Sequence, residues 1–257
     1  MMWIWKTIFI LWAVVCAETV FSETETPPES SSLSLWQRAW GDFKEPYLNE
    51  NRQYFIGGLA ATATLLATRE HTVDPFQDSV SQRQPLGDTA SFFRSMGEWV
   101  PNLAYAAGMY IDGWYRDKGL SKNRSGLMIR ATLHAGILTS ILKVTVQQRR
   151  PGNSENYRSY PSGHTTTAFA FAAVVGEEHG WKWGMPAYSL AAVAGFSRIN
   201  DNKHFLHDVI MGACIGTAYG RALSQKMHSN SQLVGKNRMV IPIGSQDYLG
   251  MALYQEF

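Results

Sequence analysis

The stretch NYRSYPSGHTTTAFAF, Asn156 to Phe171, sets a Pro-Ser-Gly-His turn in front of a run of threonines and small apolar residues. A turn that opens on a helix start presents backbone N–H groups with no partner inside the helix. Such a start attracts anions, and a histidine in its first turn stands where it meets a bound phosphate. Taken alone, the turn reads as well as a loop before a buried helix, with a surface histidine. Its meaning depends on what else in the chain reaches the same anion.

Two further segments offer groups of the right kind. KVTVQQRRP, Lys143 to Pro151, places a lysine and an arginine seven residues apart. On a continuous helix that is two turns, one face, and about 10 Å along the axis. Pro151 is expected to end the helix and push Arg150 out of the α region, so that guanidinium and ammonium bracket one phosphate. A solvated basic helix end is the plainer alternative. SRINDNKHFLHD, Ser197 to Asp208, carries Arg198 near the end of one helix. Asn200-Asp201-Asn202 is a turn that offers an N-cap. His204 is expected in the first turn of the next helix, with Asp208 four residues on and on the same face. A carboxylate there fixes the imidazole tautomer and stabilises its cation. A helix salt bridge and a metal pair are the alternatives, though third and fourth metal ligands at fixed spacing are missing.

Together the three segments resemble the type 2 phosphatidic acid phosphatase superfamily, which includes bacterial non-specific acid phosphatases and vanadium haloperoxidases. The family's fixed positions are filled by Lys143, Arg150 and Pro151, then Pro161, Ser162, Gly163 and His164, then Ser197, Arg198, His204 and Asp208. The resemblance implies an all-α helical bundle over about residues 54–226. It implies that His204 is the nucleophile and forms a phosphohistidine, oriented by Asp208. His164 is then the general acid and later the base. Lys143, Arg150 and Arg198 stabilise charge on the equatorial oxygens, while Ser162 and Gly163 cradle the phosphate. Three fixed cations stand where a metal would, so no metal and no cofactor is expected; vanadate would bind as a phosphate mimic.

The rest of the chain sets the context. Lys and Arg number 23 against 21 Asp and Glu, a net charge of +2 over 257 residues. That excludes a global basic field and argues against a nucleic-acid partner. Lys6 precedes an apolar run, Thr7 to Val15, with Val15-Cys16-Ala17 as a cleavage-like site; residues 1–22 read as a signal peptide. An uncleaved anchor is the alternative. Residues 23–34, polar and rich in Pro and Ser, read as a disordered linker. Residues 35–227 form the helical phosphatase domain, and 228–257 a tail whose strands flank Gly244 to Asp247 as a short C-terminal β-hairpin. After cleavage Cys214 stands alone, so no internal disulfide is expected.

Helices are expected over Leu35–Tyr47, Tyr54–Thr68, Ser91–Tyr115 (broken near Pro101), Leu127–Gln148, Thr165–Glu178, Met185–Ile199 and His204–Met227. A spanning helix needs about 20 mostly apolar residues. Most of these segments are short or flanked by charge, and the mean hydropathy is -0.18. The expected place is therefore exported and periplasmic, soluble or resting on a membrane surface. An integral bundle with its site facing the periplasm is the alternative, because inward polar residues are tolerated around a site.

The expected activity is a metal-independent phosphomonoesterase on lipid or isoprenoid phosphates. A vanadate-dependent haloperoxidase and an acid phosphatase on small soluble phosphomonoesters are the alternatives. Phe92 to Trp114, with the loop Gly152 to Tyr160, is the candidate mouth, in which Phe92, Phe93, Trp99, Tyr105 and Trp114 would hold an acyl or prenyl chain, although ordinary helix packing accounts for the aromatics as well. His134, nine residues before Lys143, and His207, beside Asp208, are expected on other helix faces than the site residues, and His71, His179 and His228 have no partner spacing, so all five are expected to be structural.

Overall fold

The computed structural model describes residues 34–152, 154–236, 238–245 and 248–255. The expected signal peptide and all but the last residue of the expected linker lie outside them. Nine α-helices occur among the described residues: α1 Leu35–Leu48, α2 Arg52–Ala67, α3 Val73–Arg83, α4 Ala90–Met96, α5 Val100–Tyr115, α6 Gly119–Val146, α7 Gly163–His179, α8 Trp181–Asn200 and α9 Leu206–Lys236. An antiparallel hairpin follows, β1 Arg238–Ser245 and β2 Tyr248–Gln255, in register from Arg238 opposite Gln255 to Ser245 opposite Tyr248. The expected helical bundle with a terminal hairpin is what the chain forms.

Helix α7 runs through the middle. Ala168, Ala172, Val174 and Val175 pack with Leu127, Met128 and Ala131 of α6, Ala191 and Ala194 of α8, and Leu223 of α9. Small side chains let the axes approach. Along α9, Gly212, Gly216 and Gly220 stand at four-residue spacing against α7. A Cβ on Gly212 would come within 2.6 Å of the Ser162 carbonyl oxygen, and one on Gly216 would collide with the Thr166 carbonyl. The second core cluster joins Phe55 of α2 and Ala135 of α6 to Ile215, Ala218 and Tyr219 of α9.

Helix α1 starts on a capping box, in which Ser34 and Gln37 exchange side-chain and backbone hydrogen bonds. Its face carries Trp36, Trp40 and Phe43, as the spacing predicts. Phe43 stacks toward Tyr219 at 6.2 Å, whereas Trp36 is 83 % exposed. Buried Asp42 pins the helix to the bundle through Arg130 of α6 at 3.0 Å and Lys226 of α9 at 2.9 Å.

Three local expectations are corrected. Helix α6 does not reach Gln148: Gln147 adopts the left-handed region at φ 49 and turns the chain after Val146, four residues before Pro151 could act. His204 is not inside its helix but two residues ahead of α9. Asn200 closes α8 instead of capping α9, accepting from the Leu86 N–H at 3.1 Å. Helix α3 had no counterpart in the sequence reading; its polar composition hides it, and Gln77 braces the turn after α8 by donating to Asn202 at 2.8 Å.

Candidate active site

Four chain segments meet where α7 begins. The Tyr160–Pro161 peptide is cis, and Ser162 stands just ahead of α7 with its N–H donating to the Asp208 carbonyl at 2.9 Å. This places the Ser-Gly-His turn directly over the start of α9. Ser162 is fully buried and its hydroxyl accepts from Thr165 at 2.9 Å. Gly163 and His164 form the first turn of α7. Gly97 packs so tightly on His164 that an added Cβ would lie 2.8 Å from the His164 Cβ.

Lys143 comes up from α6. Its Nζ donates to the carbonyls of Arg158 at 3.0 Å, Ser159 at 3.3 Å and Pro161. Arg150 is not helical; its N–H donates to Asn156 at 3.0 Å in a loop that folds back toward α7. The two cations therefore converge by chain reversal and not by sharing a helix face. Arg198, near the end of α8, pairs with Asp201 at 3.2 Å. The Nε atoms of Arg150 and Arg198 are buried with no hydrogen-bond partner among the described residues. Buried donors of this kind normally have one, and two such guanidinium edges suit an anion.

His204 is buried, and its Nδ1 lies 3.5 Å from Asp208 Oδ2. The same oxygen accepts from the Ser159 hydroxyl at 2.5 Å and from the Phe205 N–H at 2.9 Å. Burial pulls the His204 imidazole down to about 4; Asp208 opposes the shift, and Lys143 and Arg150 add to it. The ring is thus neutral near pH 7, and with Nδ1 toward Asp208 its Nε2 carries the free lone pair. Arg198, His204 and Lys143 lie within electrostatic reach of His164, and Lys143 and Arg150 within reach of His204.

A cleft of about 1080 Å³ opens beside these groups, lined by Lys143, Arg150, Gly163 and His164. Thr139 and Gly136 of α6 extend it downward, and Glu98, Trp99 and residues 155–158 form its rim. Of the five candidate mouth aromatics only Trp99 lines it. Phe92 and Phe93 pack on each other at 5.4 Å, Tyr105 bonds His179 at 2.8 Å, and Trp114 ends α5 away from the cleft. His134 is a satisfied core group between the Arg130 and Ala39 carbonyls, as expected. His228 does have a partner, Glu178 at 3.1 Å.

Sequence reasoning missed Gln148; Gly97 and Glu98 fall within the expected mouth and line the cleft, and Ser159 falls there too, but its bond to Asp208 was not foreseen. Ser159 sits inside the opening stretch, three residues before Ser162, but nothing in its spacing points to Asp208. His207, set aside as lying on another face, is 3.3 Å from Asp208.

The PAP2 superfamily model matches residues 126–232, which contain every one of these motif residues. Over that region the chain is similar to the PAP2 superfamily. A lipid A 1-phosphatase of Porphyromonas gingivalis is 34 % identical over 110 residues, 40 % of this chain and 24 % of that protein. A lipid A 4'-phosphatase of Helicobacter pylori is 23 % identical over 176 residues, 66 % of this chain and 86 % of that protein. The crystal structure of Aquifex aeolicus LpxE matches 60 % of this chain and 94 % of its own, at TM-score 0.51 and 25 % identity. A transmembrane PAP2-type phosphatidylglycerolphosphate phosphatase from Bacillus subtilis shares the PAP2 fold at TM-score 0.55, over 73 % of this chain and 97 % of its own, with 21 % identity.

Proposed function

We propose that this chain is a PAP2-type phosphomonoesterase that cleaves a membrane lipid phosphate through a phosphohistidine at His204. The observation that carries the reading is the buried His204–Asp208 pair at 3.5 Å, set beside a cleft into which Lys143, Arg150 and His164 converge. His204 Nε2 attacks phosphorus, and the P–O bond to the lipid breaks as His164 gives its proton to the departing alkoxide. Lys143, Arg150 and Arg198 stabilise the charge on the three equatorial oxygens. His164, now neutral, takes a proton from water. The water oxygen bonds to phosphorus, the P–N bond breaks, and inorganic phosphate leaves with His204 restored. No metal is invoked.

Lipid substrates are favoured by the relatives and by the surface. Among the described residues one helix, α6, is long and apolar enough by itself to cross a membrane, and only 33 % of its most apolar window is buried. Ile56 and Leu59 of α2, Ile111 of α5, Ile137 and Ile141 of α6 and Leu190 of α8 are exposed as well. Exposed aromatics stand at both ends, Trp99 and Tyr157 by the cleft and Trp114, Tyr115, Trp181 and Trp183 at the other, and also on α1 at Trp36 and Trp40. The 16 residues of α5 and 17 of α7 separate these ends by about 25 Å. Two aromatic belts at about the thickness of a bilayer's apolar core are the mark of an inserted bundle. Of the places left open by the sequence, the integral one fits best: helices α2 and α5 to α9 inserted, with the cleft at one boundary and, by the expected export, toward the periplasm.

The test uses the full chain in detergent with lipid phosphomonoesters and small soluble ones. Phosphate release from the lipids, inhibition by vanadate and loss in His204→Ala are expected. Full activity in His204→Ala sinks the nucleophile assignment, and turnover of soluble esters alone sinks the lipid reading. Membranes washed with carbonate should retain the protein; release contradicts insertion.

A further inference from the structure

Two of the three proposed phosphate-binding cations are held by their own side-chain contacts. Lys143 Nζ donates to three carbonyls, and Arg198 pairs with Asp201. The Arg150 Nε is buried with no hydrogen-bond partner among the described residues, so its aim depends on the backbone that carries it. That backbone is the first arm of a loop, which starts where Gln147 turns the chain at φ 49. The arm runs beside residues 156–159. The Ser159 N–H donates to the Gln148 carbonyl at 2.9 Å, and the Arg150 N–H donates to the Asn156 carbonyl at 3.0 Å. Both bonds stay inside the loop. They hold its two arms together but do not tie the first arm to the bundle.

A side chain makes that tie. The Gln148 amide nitrogen lies 2.7 Å from His207 Nε2, so the amide donates, the ring accepts, and the ring proton stands on Nδ1. His207 is a rigid anchor. It is 0 % exposed, in the first turn of α9. Its ring stacks on Phe205, centroids 5.4 Å apart and planes 9° off parallel, and Tyr160 tilts against it at 6.2 Å. Phe205 in turn lies under the Arg69 guanidinium at 4.7 Å. Side chains along the arm alternate. Gln148 turns in to α9, Arg149 is exposed and donates to the Ser154 carbonyl at 2.7 Å, and Arg150 lines the cleft. This is the two-residue period of an extended segment, in which residues i and i+2 share a face. Facing Gln148 to His207 therefore faces Arg150 inward as well.

We infer that Gln148 is a positioning residue for Arg150: its hydrogen bond to the fixed ring of His207 keeps the arm facing inward, so that the Arg150 guanidinium stays turned into the cleft. The inference rests on the phosphatase reading above, in which Arg150 holds a phosphate oxygen. A rotation of the arm that breaks the Gln148 bond carries Arg150 outward with it and puts Arg149 in its place. Arg149 is already committed to Ser154, so the exchange does not restore the lost cation. Partners that hold a binding group from behind commonly matter by about 10- to 100-fold.

The test is a double-mutant cycle in the full-length protein, with Gln148→Leu, Arg150→Ala and the two combined. It reads kcat/KM on a lipid phosphomonoester and the vanadate concentration that halves the rate. Leucine keeps much of the volume and removes the donor. We expect Gln148→Leu to lower kcat/KM about tenfold and to weaken vanadate inhibition by a similar factor. In the Arg150→Ala background the same substitution should lower kcat/KM by less than about twofold, because the group it positions is gone. Damage to the loop at large, or an effect through Asp208, would add in full to the Arg150→Ala loss. Full additivity therefore overturns the inference, as do wild-type values in Gln148→Leu, while the phosphatase reading stands. Gln148 is half-buried in a loop. Should Gln148→Leu not fold, Gln148→Asn, whose shorter side chain falls short of His207, takes its place in the cycle with the same expected outcomes. A wild-type chain that neither releases phosphate nor binds vanadate overturns the phosphatase reading and this inference with it.

Discussion

The Ser162 N–H donates to the carbonyl oxygen of Asp208 at 2.9 Å. This main-chain bond joins the turn that presents His164, the proposed acid, to the first turn of the helix whose Asp208 carboxylate faces His204, the proposed nucleophile. The spacing between acid and nucleophile is thereby set by backbone and not by long side chains. Such rigidity is what in-line displacement requires, since acid and attacking nitrogen must stand on opposite sides of one phosphorus.

His164→Asn is expected to hurt poor leaving groups most. General acid catalysis contributes about 10²- to 10⁴-fold where the leaving oxygen needs a proton. An alkyl phosphate should lose activity in that range and p-nitrophenyl phosphate far less. Steady-state rates on the two esters decide, and equal losses would remove His164 from the acid role.

The pH profile should carry the mark of a buried nucleophile. His204 must be neutral to attack, and burial lowers its pKa to about 4. Because the folded value lies below the ordinary histidine value of about 6.5, the neutral ring persists as pH falls through 6. The acid limb of kcat/KM attributable to His204 should therefore fall near 4. The same sign holds for stability: this contribution is full above the unfolded value and is lost as pH falls toward 4. A limb at about 6.5, absent from the profile of a slow His204 variant, would contradict the burial.

Chelation should leave turnover intact. Among the described residues no cluster of three or more His, Cys, Asp or Glu side chains is placed to hold a metal, and Lys143, Arg150 and Arg198 supply the positive charge. Activity lost in EDTA and restored by a divalent ion would return the metal reading of His204 and Asp208.

Gly216→Ala should lower stability where Gly57→Ala does not. The first Cβ meets the Thr166 carbonyl, while the second has nothing within 4 Å. Overpacking of this kind costs about 1–3 kcal/mol, and a helix-interior Gly→Ala in open space gains up to about 1 kcal/mol. Apparent melting temperatures in detergent report both. A Gly216→Ala protein as stable as wild type would mean that α7 and α9 sit further apart.

Much of the site was legible because its chemistry is local in sequence. Pro161 to His164 and His204 to Asp208 are short segments whose residue types name their tasks. The helices were legible by periodicity, with boundaries displaced where one backbone angle decides, as at Gln147. What stayed hidden depends on tertiary contact. Ser159 and His207 acquire meaning only when the α6–α7 loop folds onto α9, and no periodicity encodes that. Helix α3 was hidden for the opposite reason: Val73 and Val80 are buried, but the polar residues between them break the apolar pattern. Even the exposed apolar belt was underestimated, since composition averages it against a polar, buried site.

Asp208 also accepts from the Phe205 N–H at 2.9 Å, the donor just ahead of α9, so one side chain both caps a helix and faces the proposed nucleophile, His204. Any substitution there perturbs two quantities at once. Alanine would remove the cap as well as the charge, and a dead Asp208→Ala protein would say nothing about which loss killed it. Asparagine separates them, because its amide oxygen still accepts from Phe205 while the negative charge is gone. The division of labour within that carboxylate makes the choice of replacement, and not merely the choice of position, the variable that an experiment at Asp208 must control.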